Sequence, residues 1–99
     1  MVKLVVAYGH PQDPEAFDRH YTQVHMPLAE KIPNVRRFEA GRVLGTVDGS
    51  QAPYYFIAEL WFDSTEELQA ALGSPEGQAA GTDVGNFATG GATLMIAQA

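Results

Sequence analysis

His25 is the residue whose type and setting best suit chemistry. It falls on a helical repeat with Phe17, Tyr21, Val24, Leu28 and Ile32, whereas Glu15, Arg19, Gln23 and Glu30 fall on the opposite side. A side chain that ionises near neutral pH therefore sits inside an apolar stripe, where it can act as a general acid or base or hydrogen-bond a substrate oxygen. Pro27, two residues on, lacks an amide and frees the carbonyl of Gln23, so the helix should bend beside His25. Tyr21 is placed to share a pocket wall with His25, and Asp18, on an adjoining azimuth, to orient it. A buried histidine bonded only to a backbone carbonyl would leave the same pattern in the sequence.

Glu59 is the second ionisable group in apolar company, on a strand whose same face carries Ile57 and Trp61. A carboxylate there must be paired, hydrogen-bonded or protonated. On the helix side of the sheet it would partner His25; on the outer side it would belong to a subunit contact, opposite an arginine. Tyr8 joins Tyr21 as a hydrogen-bond donor to a substrate, and Trp61 offers an aromatic surface to an apolar ligand. No metal is expected: His20 and His25 are five apart, well around a regular helix from each other, and helical metal pairs use spacings of three or four. No cofactor is expected either, since Gly9, Gly41, Gly45 and Gly49 lack phosphate-loop spacing and no serine carries an elbow motif.

These residues need elements to hold them. Val2 to Tyr8 reads as a strand closed by Gly9-His10-Pro11. Asp13-Pro14-Glu15 then starts a helix, with an N-cap, a first-turn proline and a dipole-compatible acid, that runs to about Ile32-Pro33-Asn34. Val35 to Thr46 reads as a second strand, 47–53 as a turn-rich loop and Tyr54 to Phe62 as a third strand. Ser64 and Glu67 form a capping box for a short helix through Leu68 and Leu72. Ser74-Pro75-Glu76 is a further helix start, but Gly77, Gly81 and Gly85 predict a broken or short helix in the stretch up to Phe87. Ala92 to Ala97 is the last strand. The order is βαββαβ, the ferredoxin-like arrangement of a four-stranded antiparallel sheet with helices on one face.

The chain has 99 residues, room for one α+β domain over 1–99, and no cysteine, so neither disulfides nor thiolate chemistry are open to it; a cytoplasmic setting fits. A net charge of −6 with scattered basic residues excludes a nucleic-acid surface. The Leu4-Val5-Val6-Ala7 run is too short for a membrane span. Phe56, Leu60 and Phe62 alternate with Ile57 and Trp61, and Leu94 and Ile96 with Met95 and Ala97. Strands that are apolar on both sides are covered on both sides, and two helices cover one face only. The simplest cover for the other face is a second copy, making a homodimer.

Tyr21 with His25-Met26-Pro27-Leu28, Glu59 to Ser64, Ser74-Pro75-Glu76-Gly77 and Asp83-Val84-Gly85-Asn86-Phe87 together resemble the EthD family over nearly the whole chain. The resemblance implies a ferredoxin-like protomer in a dimeric α+β barrel, and a place among proteins tied to oxidative breakdown of ethers and of aromatic or polyketide-like compounds. The family's founding role lies in ethyl tert-butyl ether degradation beside a cytochrome P450 system. The resemblance and the residues together give two expectations of function. One is a metal-free oxidoreductase, isomerase or decarboxylase acting on a small apolar or aromatic molecule, with His25 and Tyr21 catalytic and Tyr8, Asp18, Glu59 and Trp61 contacting substrate. The other is a non-catalytic accessory or ligand-binding protein assisting a partner oxygenase.

Overall fold

The computed structural model describes residues 1–99. Four strands, β1 (Val2–Tyr8), β2 (Arg37–Arg42), β3 (Phe56–Phe62) and β4 (Ala92–Gln98), form one antiparallel sheet in the order β2-β3-β1-β4. The β-branched first strand takes a central place, as its apolar composition requires. Strand β2 is shorter than the predicted 35–46: it is an exposed edge strand, and beyond Arg42 only the Val43 amide keeps a ladder-like bond, to Tyr55.

The first helical segment is three stretches end to end: α1 (Pro14–His20), a π-helical turn (Tyr21–His25) and α2 (Met26–Ala29). Asp13 caps it by accepting from the Ala16 amide, with Pro14 in the first turn. The predicted bend beside His25 takes the form of the π turn, in which the Met26 amide bonds the Tyr21 carbonyl, one residue further back than in an α-helix. Pro27 is the physical reason: it has no amide for the Gln23 carbonyl, so the regular ladder cannot pass through. The wider turn keeps Phe17, Tyr21, His25 and Ala29 buried at intervals of four and turns Val24, expected on the apolar stripe, out to 42% exposure.

Helices α3 (Thr65–Gly73) and α4 (Pro75–Val84) follow β3. Ser64 caps α3 through the Glu67 amide, but the reciprocal half of the expected capping box is not made, and Glu67 Oε2 is buried without a partner. Helix α4 runs ten residues unbroken, against the expectation from its glycines. Gly77 explains the difference. A Cβ there would stand 2.1 Å from the Ala71 carbonyl oxygen, so glycine is what lets α4 pack against the end of α3. Ser74 joins the two, its hydroxyl donating to the Ala71 carbonyl and accepting from the Gly77 amide.

Register fixes the two faces of the sheet. Leu4, Val6 and Tyr8 of β1 share the helix side with Ala58, Leu60 and Phe62 of β3, and this is the core. The outer side carries Val5, Ile57, Trp61 and Met95, with two ion pairs on it, Lys3 to Glu59 at 2.7 Å and Arg37 to Glu39. No helix is long and apolar enough to cross a membrane.

Candidate functional site

Between the first helical segment, α3, α4 and the sheet lies an apolar cavity of ≈ 60 Å³. Leu4, Val6, Ala58 and Leu60 form its floor, Phe38 and Leu94 reach in from the two edge strands, and Leu72, Gly81 and Val84 lie on the helix side. Its walls carry three groups able to exchange or donate protons: the imidazole of His25 and the hydroxyls of Tyr8 and Tyr21. All three residues are buried.

Asp83, in the last turn of α4, organises the site. Its Oδ2 accepts from His25 Nδ1 at 3.0 Å, and its Oδ1 accepts from the Asn86 side-chain amide at 3.0 Å. His20 Nε2 donates to both oxygens, at 2.9 and 3.0 Å. A carboxylate has no proton to give, so His25 must carry its proton on Nδ1, which leaves the Nε2 lone pair free. Phe87 packs against both imidazoles, with ring centroids 5.2 Å from His20 and 4.9 Å from His25, and closes the cluster on one side.

Electrostatics favour a neutral base. Burial lowers the His25 pKa, and the hydrogen bond and charge of Asp83 offset only part of that. Burial works the other way on Asp83, but the donors Asn86, His20 and His25 outweigh it and hold the carboxyl below its ordinary range. Tyr8 and Tyr21 are pushed well above the ordinary phenol value, chiefly by burial, so both stay protonated donors at neutral pH.

The predicted residues thus fall into two sets. Tyr8, Tyr21 and His25 meet at the cavity; Asp18, Glu59 and Trp61 do not. Asp18, expected to orient His25, accepts instead from the Tyr55 hydroxyl at 2.7 Å and pairs with Arg42 at 2.5 Å, because its azimuth on α1 faces the end of β2. Glu59 is on the outer sheet face, paired with Lys3, and Trp61 lies on that face between Lys3 and Arg37. The orienting acid is Asp83, which enters the sequence reading only through the Asp83–Phe87 stretch of the family resemblance and is given no site role there. One signal is nonetheless present: a carboxylate in the last turn of a helix opposes the dipole there and calls for donors. His20 and His25, expected well around the helix from each other, both reach one carboxylate, because the π turn that follows His20 is wider than an α-helical turn and narrows the angle between them.

A βαββαβ protomer with this sheet order is ferredoxin-like. The EthD domain family matches residues 9–91, and the chain belongs to that family. It is 46% identical over 96 residues to an uncharacterized 11.0 kDa protein from the thcB-thcC intergenic region of Rhodococcus erythropolis, covering 97% of this chain and 92% of that one. The crystal structure of an EthD family protein from Bacillus halodurans superposes with a TM-score of 0.93 at 40% identity, covering 100% of this chain and 98% of the other. Two further structures share the fold alone. A dimeric ferredoxin-like protein of unknown function from Thermobifida fusca has a TM-score of 0.72 at 17% identity, covering 98% and 90%. SnoaB, a cofactor-independent oxygenase from Streptomyces nogalater, has 0.68 at 15%, covering 99% and 91%.

Proposed function

We propose that this protein is an enzyme that removes a proton from a small apolar or aromatic molecule, with His25 as the base. The observation that carries the reading is the buried Asp83–His25 pair, which frees Nε2 as an acceptor in a cavity otherwise lined almost wholly by hydrocarbon. The substrate's C–H or O–H proton passes to Nε2, and its electron pair moves onto a conjugated oxygen. Tyr8 and Tyr21, both protonated, donate to that oxygen. The resulting enolate or phenolate is the species that dioxygen can oxidise, so the proton step itself uses only residues of this chain. That the fold hosts a cofactor-independent oxygenase in SnoaB is consistent with this chemistry. A volume of ≈ 60 Å³ corresponds to about four to six water-sized spheres of roughly 10–15 Å³, enough for one small ring at most, so the rest of a two-ring substrate would extend past Leu94 into the open edge of the site.

The test follows α-proton exchange of 2-indanone in D₂O by NMR. Wild-type protein should accelerate it, and His25→Asn, shown folded by circular dichroism, should lose about a hundredfold or more of the acceleration. A folded His25→Asn protein that exchanges at the wild-type rate overturns the reading. In the alternative, a carrier that serves a partner oxygenase, 2-indanone would bind equally well to both proteins without exchanging. The apolar lining suits a carrier, but a carrier has no use for a buried carboxylate. We further propose that the outer sheet face closes on a second copy. Its apolar set of Val5, Ile57, Trp61 and Met95 supports this, as does the dimeric state of the Thermobifida fusca protein.

A further inference from the structure

We propose that His20 is a positioning residue that acts through Asp83, clamping the carboxylate so that His25 is held in the tautomer with Nε2 free, and reporting the protonation of the outer surface to the buried base. The inference rests on His25 being the proton-accepting group.

The geometry distinguishes His20 from an incidental neighbour. Asp83 already has Asn86 on Oδ1 and His25 on Oδ2, yet His20 Nε2 spans both oxygens at 2.9 and 3.0 Å. The clamp fixes the rotation of the carboxylate about its own axis. Without it, only the Asn86 bond to Oδ1 opposes that rotation, so Oδ2 swings out of line with His25 Nδ1 more readily and the proton that holds the tautomer has a poorer acceptor. The imidazole of His20 lies nearly parallel to Phe87, at 24°, and Phe87 in turn touches His25, so the His20 ring is itself held in place.

His20 also differs from Asn86 in where it leads. Its side chain is 27% exposed and faces an outer basin where Asp13 and Arg19 are the charged neighbours, whereas the side chain of His25 is 8% exposed and opens on the cavity. The groups facing His25 are Asp83, His20, Tyr8 and Tyr21, of which only Asp83 is negative near neutral pH. One carboxylate balances one positive charge. A proton taken up by His20 from the basin therefore opposes a proton taken up by His25 from a substrate.

The experiment is an ¹⁵N-histidine NMR titration of the full chain in three forms: wild type, His20→Gln and His20→Ala. The glutamine amide can still donate to Asp83 but never carries charge, so His25 should keep its Nδ1–H pattern while its proton affinity rises about threefold, or roughly half a pH unit. Alanine removes the clamp as well, and the separation between the Nδ1 and Nε2 signals of His25 should fall by more than half. If the His25 signals and midpoint in both variants match wild type, the proposal is overturned. These signals need no substrate, so they stand or fall separately from proton exchange on 2-indanone. Should His20→Ala prove unstable, His20→Gln alone decides, since an unchanged midpoint contradicts the charge coupling.

Discussion

Asp83 is the residue on which the site turns, and its removal should be felt in stability as well as chemistry. Asp83→Asn keeps the volume but loses the charge and sets an amide N–H against one of the imidazole donors. Breaking such a buried pair should cost about 2–3 kcal/mol at pH 7, read by urea unfolding. The pH dependence has two parts. His25 has a folded pKa below its ordinary 6.5, so the unfolded chain takes up that proton first, and stability falls as pH drops below 6.5 toward the folded value. Asp83 has a folded pKa below 3.8, so its contribution is present above 3.8 and is lost as pH falls through the folded value. In Asp83→Asn the acid-range loss from that residue should vanish, while the His25 loss extends to lower pH because the charge that held its pKa up is gone. Half of this chemistry is legible in the sequence. His25 and Tyr21 stand out by polarity on an apolar helical stripe, which is local information. Asp83 does not, because its histidine partners lie 58 and 63 positions away and only folding brings them together.

At the scale of elements, glycine carries two meanings that the sequence cannot separate. Gly77 permits backbone contact with α3, while Gly81 has no atom within 4 Å of where a Cβ would stand and faces open cavity space. Gly77→Ala should therefore destabilise by about 2 kcal/mol or more, since backbone must shift to admit the methyl group. Gly81→Ala should stabilise by about 0.5–1 kcal/mol through helix propensity. Thermal unfolding of the two variants should move in opposite directions, and equal shifts would contradict the packing described. The strands and helix starts are legible because caps, prolines and alternation act within a few residues: β1 is found where it is expected, at Val2–Tyr8, and Asp13, Ser64 and Ser74 all cap. The π turn is legible only as a bend. Pro27 announces that the ladder fails, but nothing local in the sequence separates a kink from a widened turn.

As a whole the molecule is a thin slab, 37 × 28 × 17 Å, with one sheet face under helices and the other bare in the single chain. Strands apolar on both sides need a second cover, and that requirement leads to a direct measurement. Ile57→Lys, placed in the middle of the outer face and away from the cavity, should convert a dimer into a monomer in sedimentation velocity at micromolar concentration, whereas a wild-type chain that sediments as a monomer at every concentration removes the proposed assembly. The edge strand β4 adds something separate. Leu94 forms part of the cavity wall and is at the same time 55% exposed, so hydrocarbon that a ligand would touch is also hydrocarbon that water touches. Under the proposed function a molecule need not wait for the helices to part: its way in and out would run along the sheet's border, where the bulk of one side chain would set the pace of traffic and leave the proton chemistry behind it untouched.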